Sequence, residues 1–485
     1  MPTDFEYVGL HTELGHNFNL DVKSYTYNYD NSEEFTNVTP ITYATTINGS
    51  KTYNGLTIQP CNVPVTKKGV TAIPCGVDKY NSYRKYGETS TLSQVSKFGI
   101  LRAGIWYEWA TTSRHQFPSD PLNNWDDQAL SNFNKQFWTN SYQPYGEYEL
   151  RVTKSLNITA GTKFAYYNIA TKQFADNGKT IGGLGTNNPN SFITNGGSFS
   201  AWLQSIDANY RLKSNWSVYG QVSTGSIVPP SNVFDYAQGP TGTPVRTLPK
   251  QQRSTTYQTG TILKLKRVTF DEDFYHIRFQ NSYSSTLDSS GEPVYFLQPS
   301  SITKGFEAES NIYFGRGLSA YLNASVGRAT YVGKLNVSCG GAASACTTST
   351  PQITVTAPSG LWVASTPSDV ETEGVTYQRK GWDIALFNKR VGTFYQDNGQ
   401  YHNQATINPL SVTNVFFNYT LRTGGRFDQT KLRLAFNNIF DQHSITGDSI
   451  TGTALTQSIA ANGTTYTDPF NTTGPTPIAG ATTSA

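Results

Sequence analysis

Phe306-Glu307-Ala308-Glu309-Ser310-Asn311-Ile312-Tyr313-Phe314, Gly315-Arg316-Gly317 and Leu318-Ser319-Ala320-Tyr321-Leu322-Asn323-Ala324-Ser325-Val326 decide the fold of this chain. Phe306, Ala308, Ile312 and Phe314 alternate with Glu307, Glu309, Asn311 and Tyr313. After the glycine-flanked turn, Leu318, Ala320, Leu322, Ala324 and Val326 alternate with Ser319, Tyr321, Asn323 and Ser325. Period two marks strands whose two faces differ, here an aliphatic face and a face of charges and amides. The same design stands just upstream. Tyr257, Thr259, Thr261, Leu263 and Leu265 share a side, the chain turns at Lys266-Arg267, and Val268, Phe270 and Phe274 continue that side. Strands of a soluble sandwich end after about six residues. These run well past that, and long alternating segments with short turns at one end predict a transmembrane barrel wall.

The rhythm extends through the chain. Hairpins are expected at 4–14 with 17–29, 83–95 with 100–116, 137–153 with 156–168 and 199–212 with 216–224. The pair around Lys266 and the pair around Arg316 come next. A seventh is expected at 360–366 with 375–390, and an eighth at 411–422 with 431–440. That makes about 16 strands with short turns at one end and long loops at the other, an all-β antiparallel arrangement. The span 1–441 is expected to be partial barrel, and 442–485, rich in Thr, Gly and Ala, a last extracellular loop or disordered tail.

Composition agrees with a wall rather than a core. The 485 residues hold 30 Tyr, 26 Phe, 8 Trp and 42 Gly beside only 15% charged residues. Mean hydropathy is −0.46, which a barrel tolerates because only alternate residues meet lipid. No apolar run approaches the roughly 18 residues of a spanning helix. A net charge of +3 leaves no basic footprint for nucleic acid. Met1-Pro2-Thr3-Asp4 leads straight into a strand, so a signal segment is expected upstream. Cys61 with Cys75 and Cys339 with Cys346 form two local pairs in loop-like stretches without zinc-site spacing, and disulfides are expected there.

At several points the residues resemble one family. Thr255-Thr256-Tyr257-Gln258-Thr259-Gly260-Thr261, the strand Val268 to Asn281, and Lys304-Gly305-Phe306-Glu307-Ala308-Glu309 look like matching strands of TonB-dependent outer-membrane receptors. Trp216 to Gly225 followed by Pro229-Pro230-Ser231, Asn414 to Leu421, and Phe436-Asn437-Asn438-Ile439-Phe440-Asp441 agree with that family in order. The resemblance covers roughly residues 200 to 445 and implies a barrel of about 22 strands with an internal plug. It further implies a bacterial outer-membrane location, capture of a scarce extracellular solute, and energised import driven by a TonB-type inner-membrane partner acting on the plug. By that count residue 4 would open the sixth strand, and the first five strands, the plug and the closing strand are expected outside this chain.

Chemistry is sparse. The carboxylates Asp271/Asp273 and Glu307/Glu309 share strand faces, which a polar lumen predicts as readily as catalysis. Glu272, between Phe270 and Phe274, is expected to face lipid. The six histidines form no pair at ligand spacing, and no nucleophile elbow, phosphate loop or dinucleotide fingerprint is present. The acidic stretch Asp120 to Asp127 lacks the order of a calcium loop. No enzymatic activity, metal site or organic cofactor is expected. Arg114, His115 and Trp125, with Trp138 and Tyr142, flank one outer loop and are the candidate ligand contacts, although membrane anchoring accounts equally for the last two. Two other functions remain open on the residues alone: a passive porin, and a secreted β-rich adhesin or carbohydrate-binding protein.

Overall fold

The computed structural model describes residues 3–36, 76–120, 125–127, 133–176, 179–180, 192–229, 250–287, 293–332, 335–338, 352–355, 360–397 and 404–447, with short pieces at 52–53, 56–57, 65–67, 70–72, 237–238, 244–245, 458–459, 465–466 and 482–484. The four cysteines and nearly all of the chain after residue 447 lie outside these residues.

Sixteen long strands follow one another as an antiparallel meander. They are β1 (Thr3–Gly15), β2 (Phe18–Thr36), β3 (Gly76–Ser96), β4 (Gly99–Asp120), β5 (Phe133–Arg151), β6 (Leu156–Asp176), β7 (Ile193–Lys213) and β8 (Trp216–Ile227). Then come β9 (Gln252–Lys264), β10 (Val268–Gln280), β11 (Ser300–Gly315), β12 (Leu318–Val332), β13 (Asp369–Arg379), β14 (Trp382–Val391), β15 (Leu410–Thr420) and β16 (Lys431–Phe436). Tight turns join the odd strands to the even ones. His16 and Asn17, Arg316 and Gly317, and Lys380 and Gly381 all take positive φ, the two-residue geometry whose twist matches the flanking strands. The turn between β15 and β16 is longer. Asp428 accepts there from the backbone N–H of Gly424 (3.2 Å) and Thr423 (2.9 Å), which holds its carboxyl below the usual range.

Burial is inverted relative to a soluble domain. Among the described residues the largest fully buried side chains include Gln143, Gln173 and Thr171, while Trp202, Ile206, Phe274, Leu322 and Val326 are exposed. A water-soluble chain would hide those apolar side chains and expose the amides. The ladders show why. Ile206 faces Val222, Val222 faces Tyr257, and Phe274 faces Phe306, which faces Val326, so from β7 to β12 one face of the sheet carries an apolar sheath. The other face is polar. There Arg102 pairs with Glu147 (2.7 Å) and Glu149 (3.5 Å), Lys85 with Glu108 (3.3 Å), and Tyr25 donates to Glu108 (2.9 Å).

A repeated device shapes the polar face: an aromatic ring lying over a glycine on the neighbouring strand. The ladders set Tyr25 opposite Gly87, Tyr145 opposite Gly104, Tyr219 opposite Gly260, Tyr275 opposite Gly305 and Phe387 opposite Gly374. A Cβ at Gly87 would fall 2.2 Å from the Tyr25 ring, and one at Gly374 2.3 Å from that of Phe387. Glycine is needed here for space, because no side chain fits under the ring.

Two expectations need correction. The seventh hairpin is β13 with β14, turning at Lys380-Gly381; residues 360–366 form no strand, and Trp362 makes a single bridge to Thr330. Gly381, at φ 90, rather than the apolar run Leu361 to Val363, marks the boundary. The last strand ends at Phe436 instead of reaching residue 440. Asn438, at φ 51, breaks it, accepting from Gln442 N–H while its own amide donates to the Gln442 carbonyl. Glu272 stands on the apolar face as expected, opposite Thr261 and Ala308.

Among the described residues no ladder joins β1 to β16, and all six residues of β16 and most of β1 are exposed.

Candidate ligand-facing surface

The ladder registers separate the candidate contacts. Arg114 lies on the polar face of β4, the face of Arg102, whereas its neighbour His115 points to the opposite face. His115 stacks on Tyr80 (5.1 Å between ring centres), meets Phe117 edge-on and lies 3.6 Å from Asp78. Trp125 covers Gly76 so closely that a Cβ there would fall 2.2 Å from its ring. Trp138 and Tyr142 share the apolar face. Tyr142 continues an aromatic row with Tyr107 (5.0 Å) and Tyr166 (6.3 Å), the arrangement of an interfacial girdle. Of the five, only Arg114 is placed on the polar face by its ladder register.

What Arg114 faces is absent from any reading of β4 alone. Directly opposite it on β5 is Lys135, and the Phe133 ring lies 5.5 Å from the Arg114 guanidinium and 5.5 Å from Lys135 Nζ. Lys135 also lies 5.8 Å from the Phe137 ring, and both Lys135 and Phe137 are buried. Two cations opposite each other repel in proportion to their closeness. Aromatic faces offset part of that repulsion. The cluster stands at the long-loop end of the polar face. A sequence signal did exist: Phe133, Lys135 and Phe137 recur at period two. Nothing in the linear chain, however, puts them opposite Arg114.

Lower on the polar face, β10 and β11 set Asp271 opposite Glu309 and Asp273 opposite Glu307. Tyr219 donates to Asp273 (3.4 Å), Tyr321 to Glu309 (3.1 Å) and Ser325 to Glu307 (3.2 Å). Among the described residues no group of three or more His, Cys, Asp or Glu has an arrangement able to hold a metal ion. The array is therefore an electronegative wall within reach of hydroxyl donors.

A family model described as TonB dependent receptor-like, beta-barrel matches residues 2–439. Among solved structures, the ferric yersiniabactin uptake receptor FyuA from Yersinia pestis shares the fold at a TM-score of 0.62 and 14% identity, over 93% of this chain and 58% of that one. The ferric citrate transporter FecA matches at 0.60 and 15%, over 91% and 57%. The copper transporter OprC matches at 0.62 and 12%, over 91% and 62%. The chain thus spans less than two thirds of the length of these structures. No curated protein matches this sequence.

Proposed function

Because the chain belongs to the TonB-dependent receptor β-barrel family, we propose that it builds most of the wall of an outer-membrane receptor that takes up an anionic metal chelate. The outer membrane is where this family resides, and the apolar sheath is the surface that lipid would cover. Residues 1–441 form the wall in this reading and 442–485 the last outer loop, and a plug segment would engage a TonB-type energiser. The observation that carries the ligand class is Arg114 on the polar face at its mouth end, with its guanidinium 5.5 Å from the Phe133 ring. A cation there favours a negatively charged solute, and the ring offers a surface for stacking a chelating group. FyuA and FecA are described as handling ferric chelates, which makes an iron chelate the first ligand to try.

The carboxylate array weighs for a plugged receptor over an open porin. Asp271, Asp273, Glu307 and Glu309 oppose one another across one ladder. Like charges directly opposite are destabilising, and a lumen-filling domain presenting basic side chains would relieve that. The adhesin reading has no account of the apolar sheath.

The test uses the intact gene product in an outer-membrane host lacking its own iron receptors, with radio-iron citrate as the first chelate. Binding to whole cells is expected, and Arg114→Ala should weaken it about tenfold or more, since a charge-assisted contact contributes about 1.5–3 kcal/mol. Removing the energiser should abolish uptake and leave binding. Uptake that persists without the energiser would instead establish a porin.

A further inference from the structure

On the apolar face of β9 to β12 the side chains change character at one level. Nearer the short turns stand Leu263, Phe270, Phe274, Phe306, Leu322 and Val326. Nearer the long loops, on the same face, stand Arg253, His276, Arg278, Lys304 and Arg328, all exposed. Three of these basic side chains share one rung: His276 faces Lys304, and Lys304 faces Arg328. With strands about 4.8 Å apart, the three lie within roughly 10 Å of one another across the sheet. Arg278 stands one outward position above His276 on β10 and faces Ile302.

No salt bridge to a described carboxylate neutralises the rung. Of the outward carboxylates of the neighbouring strand, Asp369 and Glu371 are held by Arg390, and Glu373 accepts from the Asn388 amide. Arg328 donates to the Gly360 carbonyl (3.2 Å) and lies 5.6 Å from the Trp362 ring, which orients its guanidinium without cancelling its charge. Opposed like charges on one rung are unfavourable, and low-dielectric surroundings make them more so.

Height identifies the missing anion. The rung lies about eight to eleven residues from the short turns, roughly 26–36 Å along the strands and about 20–28 Å vertically at a tilt near 40°. The apolar band of such a barrel is about 25 Å tall, so the cations stand at its far edge, beside the headgroups of the outer leaflet. We infer that this patch is a docking site for a phosphorylated glycolipid of that leaflet. Its phosphates would lie against Lys304, Arg328, His276 and Arg278, and its acyl chains would run down over Phe274, Phe306 and Val326. The inference goes beyond the uptake reading and does not depend on it, because the patch lies on the outside of the wall.

The experiment takes the intact protein in mild detergent, exchanged free of lipid, with diphosphorylated lipid A as the probe and native mass spectrometry as the readout. One bound lipid A is expected, and Lys304→Gln with Arg278→Gln should weaken it about tenfold or more, while Lys304→Arg retains it. A second measurement covers failure of the double variant to assemble. Lys304→Glu converts the repulsion from Arg328 on the rung into an attraction, so it should raise the melting midpoint in lipid-free detergent and remove the further rise that lipid A gives the wild type. Undiminished lipid A binding by Lys304→Gln with Arg278→Gln would overturn the inference. So would equal binding of dephosphorylated lipid A, or competition by phosphatidylglycerol or inorganic phosphate as strong as by lipid A itself. For Lys304→Glu, an unchanged midpoint or a retained lipid A shift would do the same.

Discussion

Ile206→Arg is expected to cost the assembled barrel about 2–4 kcal/mol, the range for a cation near the bilayer midplane, whereas Ser205→Arg beside it should be tolerated. Ile206 is exposed on the apolar face, with Ala160 on one neighbouring strand and Val222 on the other. No carboxylate faces it across either ladder, so the guanidinium would meet lipid unpaired. Ser205 points to the polar face, between Gly161 and Ser223, where an arginine can remain hydrated. Leu322 would be a poorer site for this test. It stands on the same face, but β13 sets Glu373 directly opposite, and an introduced arginine would find a partner there. The intact protein is refolded into vesicles and read by heat-modifiable migration and protease protection. Equal recovery of the Ile206 and Ser205 variants would show that the apolar face does not meet lipid.

The glycines beneath aromatic rings give the second large effect, with an internal contrast. Gly374→Ala places a methyl 2.3 Å from the Phe387 ring and meets nothing else so closely. Overpacking of this kind costs about 1–3 kcal/mol, and Phe387→Ala should recover most of it because the obstruction is a side chain. At Gly260 the nearest obstacle is the Glu272 carbonyl, 2.3 Å from the new Cβ, with the Tyr219 ring at 2.7 Å. Removing that ring leaves the backbone oxygen in place. The double-mutant cycle for Gly374 and Phe387 should therefore show a coupling of at least about 1 kcal/mol, and that for Gly260 and Tyr219 distinctly less. Urea unfolding from vesicles measures both. Equal rescue at the two positions would mean that the strands shift rather than the rings.

Strand ends were legible to different degrees at the two ends of the barrel, for a physical reason. At the short turns the expected limits agree closely with the structure: Ser96 to Gly99, Lys213 to Asn215 and Gly315 to Gly317 all hold turns. At the other end the strands run further than their alternation. β3 begins at Gly76 rather than 83, and β6 continues to Asp176 rather than 168. Alternation records that one face meets lipid and the other a polar interior. Where a strand rises above the membrane both faces are polar, so the pairing continues and the pattern stops.

The sequence by itself determined the strand number, the tight turns other than Lys380-Gly381 and the face on which each alternating residue lies, because a strand's period of two is a local property of one segment. Only the tertiary structure decided which residues stand opposite one another. Lys135 faces Arg114 across β5 and β4, Lys304 lies between His276 and Arg328, and Phe387 covers Gly374. A slip of two residues between neighbouring strands would preserve every face and every alternation while replacing each of these partners. Register is a property of the pair, set by turn geometry and by the fit of ring to glycine and charge to charge, and a single strand does not contain it.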